Sequence, residues 1–123
     1  MFKIYKNNVI EALQMLSDYQ FQKLAWFLND RGVVASYNEN VMWVFDDTAL
    51  GDALDEGEVI FGANADNALR DLESETDKIE GDDYLEEEII DMPQMQVIRE
   101  KAARALELVL QSDGSESTVE IVE

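Results

Sequence analysis

The side chains in this sequence that could do chemistry are nearly all carboxylates. Asp66, Asp71, Glu73, Glu75 and Asp77 follow one another closely, and Asp82, Asp83, Glu86, Glu87, Glu88 and Asp91 continue the series. Acids three or four apart on a helix share a face, with a rise of about 5.4 Å per turn. Duplex DNA carries one charge per about 1.7 Å of its axis. A rigid surface bearing these acids has the means to imitate a nucleic-acid backbone and to bind the basic groove of a DNA- or RNA-binding protein. The plainer reading is a solvated acidic surface or a disordered acidic insert that aids solubility. Interleaved apolar residues (Leu69, Leu72, Tyr84, Leu85, Ile89 and Ile90) argue that the segment folds onto a core rather than trailing in water.

Other uses of the carboxylates fit less well. Asp46 with Asp47, or Asp52 with Asp55, has the composition of an acid–base pair, but a glycosidase-type pair needs a cleft that holds two carboxyls at a set separation. Helix caps and surface charge are the simpler roles for them. Neither Asp52–Glu58 nor Glu80–Asp83 has the alternating ligands, central glycine and terminal glutamate of an EF-hand loop. The chain has no cysteine and no histidine. That excludes thiolate chemistry, cysteine-ligated zinc, histidine general bases and His-containing triads. With no glycine-rich phosphate loop and no serine elbow either, the expectation is a protein that is not an enzyme, with no catalytic residue, no cofactor and no metal site.

The charge is strongly one-sided, with a net of −19 from 28 acids and 9 bases. Residues 46–91 hold eighteen acids against Arg70 and Lys78, whereas residues 1–45 are neutral overall. Such a chain repels nucleic acid and anionic membranes and attracts basic surfaces. No apolar run approaches the roughly 20 residues of a membrane span, and the N-terminus lacks a signal-peptide pattern, so a cytoplasmic protein is expected, in the host cytoplasm if virus-encoded.

The pattern predicts an α+β class: an N-terminal helix pair, a β-hairpin, a mainly helical acidic segment and a long C-terminal helix. Asn8 and Glu11 mark a first helix start, and Ser17 with Gln20 a second, ended by Gly32. Val33–Tyr37 and Val41–Phe45 read as two strands joined by a turn at Asn38–Asn40. Leu50 and Leu54 suit a short helix ended by Gly57, followed by a short strand at 58–61. A helix is expected from Asn64, an acidic loop over 73–83, and one or two helical turns over 84–90. Pro93 suits the first turn of the last helix, whose stripe is Met95, Ile98, Ala102, Ala105, Leu106 and Val109. One compact domain is expected over 1–111, with 112–123 a polar tail or edge strand.

Tyr19, Phe21, Trp26, Phe27, Tyr37, Trp43 and Phe45 lie in the neutral part with few bases, which favours core over a base-stacking platform. Trp26 lies off its helix stripe and is a candidate half-exposed anchor. The expected function is an acidic inhibitor or adaptor that covers a basic nucleic-acid-binding surface, with no direct nucleic-acid contact. In size and charge the chain resembles proteins with which phages counter restriction, CRISPR and repair systems. The alternatives are an immunity- or antitoxin-type partner of a basic toxin, and an assembly chaperone or scaffold. A homodimer would lengthen the acidic face.

Overall fold

The computed structural model describes residues 2–27 and 36–123. Of these, 69% are helical. The order is β1 (Lys3–Tyr5), α1 (Lys6–Ser17), α2 (Tyr19–Gln22) running into a π-helical turn (Lys23–Phe27), α3 (Tyr37–Met42) running into a second (Trp43–Asp47), and α4 (Leu50–Asp55). Then follow α5 (Ala63–Thr76), a 3-10 turn (Gly81–Asp83), α6 (Glu86–Ile90), α7 (Pro93–Gln111) and β2 (Glu120–Val122).

Helix α7 is the spine. Its buried residues Met95, Ile98, Ala102, Ala105 and Val109 recur at helical spacing and meet those of α1 (Val9, Ala12, Leu13, Leu16) and α5 (Ala65, Leu69, Leu72). Both partners run antiparallel to it. Lys6 Nζ at the start of α1 donates to Ser112 O beyond the end of α7, at 2.9 Å. At the other end, Arg99 Nη1 donates to Gln22 Oε1 and Ile90 O, each at 3.0 Å. Gln94 Nε2 near the start of α7 donates to Glu75 Oε2 near the end of α5, at 2.6 Å. The bundle therefore has two poles. One holds β1, β2 and the C-terminus of α7. The other holds the C-termini of α1 and α5, with α6 and the 77–85 connection.

The expected α+β fold with a β-hairpin is overturned. Val33–Ala35 and Gly32 lie outside the described residues, as do Leu28 and the side chain of Phe27, but residues 37–47 are helical throughout. Ser36 decides the matter locally: its Oγ accepts the Glu39 N–H at 3.1 Å and caps α3. Tyr37, Asn40, Val44 and Phe45 are then buried at intervals of three, four and one residues, which is helical spacing. Asn40, read as a turn residue, is buried in the helix and donates from Nδ2 to Ala12 O at 3.1 Å. Residues 58–61 form no strand, and Glu73–Thr76 belong to α5 rather than to a loop.

Among the described residues the only sheet is β1 paired parallel with β2, Ile4 opposite Ile121. The C-terminal segment leads there by pairing with the chain ahead of α5. Thr118 N donates to Val59 O at 2.7 Å, Val59 N to Thr118 Oγ1 at 2.8 Å, and Val119 is buried. No helix of the described residues is long and apolar enough to cross a membrane.

Gly81 marks a close approach. A Cβ built there would lie 2.0 Å from Asn38 Oδ1, whose amide donates to Asp82 Oδ1 at 2.9 Å. Gly81→Ala must displace Asn38 and break that bond, so a loss of about 1 kcal/mol in chemical unfolding is expected. Asn38→Ala alone should lose about as much, and the combined variant no more than either, because the same bond is lost in each.

Candidate functional site

The eleven carboxylates singled out in the sequence do not form one face. Asp66 is 1% exposed. It lies in the first turn of α5, and its two oxygens accept the Ile60 and Phe61 N–H groups at 2.8 and 2.9 Å. Glu75 is 5% exposed and is held by Lys78 at 2.8 Å and Lys101 at 3.0 Å. Hydrogen bonds from Lys78 and then Lys101 keep its carboxyl below the usual glutamate range. Asp71 shares Lys101, at 3.0 Å. These three acids build the α5–α7 contact and the entry to α5.

The acids of α6 sit where a helix favours them. Glu86, Glu87 and Glu88 form its first turn, toward the positive end of the helix dipole. Glu88 Oε1 accepts the Leu85 N–H at 3.0 Å, and Glu86 Oε2 accepts the Tyr37 N–H at 2.9 Å. Asp82 and Asp83 are exposed on the 3-10 turn, and Asp91 accepts the Tyr19 hydroxyl at 3.2 Å. Arg99 stacks its guanidinium 5.0 Å from the Tyr19 ring centre.

Glu73 and Asp77 are different. They lie in the last turn and at the C-cap of α5, the negative end of the helix dipole, with no base in that turn. The fold brings two further helix ends beside them. Asp55 is the last residue of α4, and Asp46 lies in the turn that ends the α3 helix, again with no base in either last turn. Burial raises the Glu73 carboxyl above the ordinary glutamate value of 4.5; Asp55, Asp77 and Asp46 raise it further, and Arg70 partly opposes them. Asp46, Asp55 and Asp77 are exposed. Asp46 and Asp55 are not among the binding residues that the sequence suggests. Their place in the acidic block is visible there, but only the packing of α4 against the end of α3 sets them beside Glu73.

Among the described residues no group of three or more acids is arranged to hold a metal ion. A cleft of ≈ 410 Å³ between the start of α5 and the end of α7 is lined by Phe61, Leu108, Asp113 and Glu116 among others. Asp113 there is occupied by Ser115, which donates its backbone N–H at 2.9 Å. Trp26, expected to be half exposed, is 4% exposed and meets Tyr37 edge-on with ring centres 6.1 Å apart, so it is core. No family model, curated protein or solved structure matches the chain.

The cluster predicts an acid-side stability maximum. Glu73 is raised, and so is Glu86, through burial with Glu39 adding to it. A carboxyl raised in the folded state binds its proton more tightly there than in the unfolded chain. Its contribution is therefore fully present below the unfolded value and is lost as pH rises through the folded one. Glu75 has the opposite sign, and its contribution is lost as pH falls through its depressed value. The melting temperature should rise as pH falls from 7 toward the ordinary glutamate value of 4.5, then fall at more acid pH as Glu75 is protonated. Glu73→Gln should raise it at pH 7 and flatten the rise on acidification. A profile unchanged by Glu73→Gln would mean that the neighbouring acids do not act on this carboxyl.

Proposed function

We propose that the chain is a non-enzymatic binding protein whose acidic pole covers a basic, nucleic-acid-binding surface of another protein, in the manner of a nucleic-acid mimic. The observation that carries this reading is the meeting of three helix C-termini, each bearing an aspartate, around Glu73 (Asp46, Asp55 and Asp77). Helix physics disfavours acids at these positions, and like charges set side by side destabilise the fold. The acids of α6, in contrast, are explained by their own helix.

The nearest cations do not cancel the charge. Arg70 donates to Leu54 O at 3.4 Å and opposes the three aspartates at Glu73 only in part, while Lys78 and Lys101 close on Glu75 and Arg99 is buried against Gln22 and Ile90. Exposed Asp82, Asp83 and Glu87 extend the negative surface at the same pole. A partner with a Lys/Arg-lined groove gains from such a surface the charge neutralisation that it gains from phosphates. Occlusion of a groove needs no catalytic group, which agrees with the composition. A protein of this size and charge suits a phage or mobile-element countermeasure against a nucleic-acid-handling defence.

The test is competition. The protein is immobilised on a neutral support, exposed to cell extract at low salt and eluted in separate arms with duplex DNA and with a neutral polymer. Selective release of a basic protein by DNA is the expected result. A captured partner that ignores both DNA and high salt would sink the reading.

A further inference from the structure

We propose that Tyr84 and Leu85 are apolar anchors of the contact, and that the face they enter is a basic protein surface with an apolar or aromatic recess. This rests on the basic-partner reading and adds to it what the charge alone does not give, a fixed point of attachment.

Leu85 is 62% exposed and Tyr84 44% exposed, two large apolar side chains adjacent in sequence and in water. Neither packs against the core cluster. Their backbone is extended, between the 3-10 turn and α6. It is also tied down on both sides. Asp83 N donates to Glu80 O at 2.9 Å, and Asn38 binds Asp82 across to α3. Beyond them, Leu85 N is held by Glu88, and Glu86 holds the start of α3 through the Tyr37 N–H. An exposed pair on so constrained a backbone is pre-organised, and little conformational freedom is lost when it is covered. Interface energy concentrates on tryptophan, tyrosine and arginine seated in a recess and ringed by polar groups, so Tyr84 is the main anchor and Leu85 adds apolar area beside it.

The surroundings fix the occupant. Glu80, Asp82, Asp83, Glu87 and Glu88 are exposed around the pair, and no lysine or arginine occurs between Ile79 and Ile98. Nucleic acid and anionic lipid are repelled by this rim. A second copy meeting the same face would set carboxylates against carboxylates. What fits is a recess bordered by lysine or arginine. Grooves that hold single strands have this character, since they combine basic residues with aromatic platforms.

Two synthetic peptides of equal length and charge provide the probe, one alternating lysine with tryptophan and the other lysine with alanine. Binding to the full chain is followed by fluorescence anisotropy of a dye on the peptide. The tryptophan peptide is expected to bind about tenfold more tightly. The double variant Tyr84→Ala with Leu85→Ala should bring it down to the level of the alanine peptide. Leu110→Ala removes another exposed apolar side chain, at the opposite pole on α7, and should change nothing. If both peptides bind alike, with strong salt dependence, and the double variant matches the unmodified chain, the anchors are refuted while the basic-partner reading stands. If neither peptide binds at low salt, both fall together.

Discussion

Replacing Asp66 by alanine is expected to lower the melting temperature by on the order of 10 °C. Two backbone donors, the Ile60 and Phe61 N–H groups, end on its carboxylate. Both bonds are buried, so alanine leaves two amides without an acceptor and without water. Each orphaned group costs about 1–3 kcal/mol, and bonds to a charged acceptor lie toward the upper end. Together with the loss of a carboxylate from the first turn of α5, the penalty comes to about 2–4 kcal/mol. An asparagine side chain keeps one acceptor oxygen, so Asp66→Asn should fall between. Thermal melts at pH 7, with helical content checked before the transition, decide it. An alanine variant that melts within about 2 °C of the parent would return Asp66 to the available surface charges.

The same residue shows where the sequence is legible and where it is not. Spacing alone places α1, α5 and α7 and most of the α7 stripe, because their apolar residues repeat at the helical period. It does not place α3. The β-branched residues near it and the run Asn38–Asn40 imitate a hairpin, while the competing signal, Ser36 followed three residues later by Glu39, is a helix cap. Trp26 misleads for a related reason. Its helix is only one turn before the backbone widens into a π turn, which rotates the later side chains relative to an ideal α-helical stripe.

The acids divide along a physical line that spacing cannot show. A carboxylate in a first helical turn, such as Asp66 or Glu88, has a local task that the sequence does contain. The pairing of Glu75 with Lys78 is also local, three residues apart, but Lys101 reaches Glu75 only because α7 lies against α5. The meeting of Asp46, Asp55 and Asp77 around Glu73 is wholly tertiary. Counting charge over residues 46–91 finds the right region and cannot separate structural acids from those placed against the preference of their helices.

Neutralising that cluster should trade binding for stability. The variant Asp46→Asn, Asp55→Asn, Glu73→Gln and Asp77→Asn removes the charges but keeps the shapes. Glu73 and Asp77 are four apart in sequence at one helix end, and a like-charged pair at that spacing costs about 0.2–0.5 kcal/mol. Removing acids from three helix C-termini adds to the gain. The melting temperature at pH 7 should therefore stay level or rise, since among the described residues none of the four is the acceptor of a structural bond of the kind that Asp66, Glu86 and Glu88 make. Affinity for the captured basic partner should fall on the order of a hundredfold at low salt, mostly through slower association, and its salt dependence should flatten. Neutralising Glu86, Glu87 and Glu88 instead would confound the result, because two of them hold the N–H groups at helix starts. Association rates measured over a range of salt, beside thermal melts, separate the outcomes. A more stable variant that binds as before would leave the cluster a stability defect without a purpose, and the basic groove would have to meet another part of the surface.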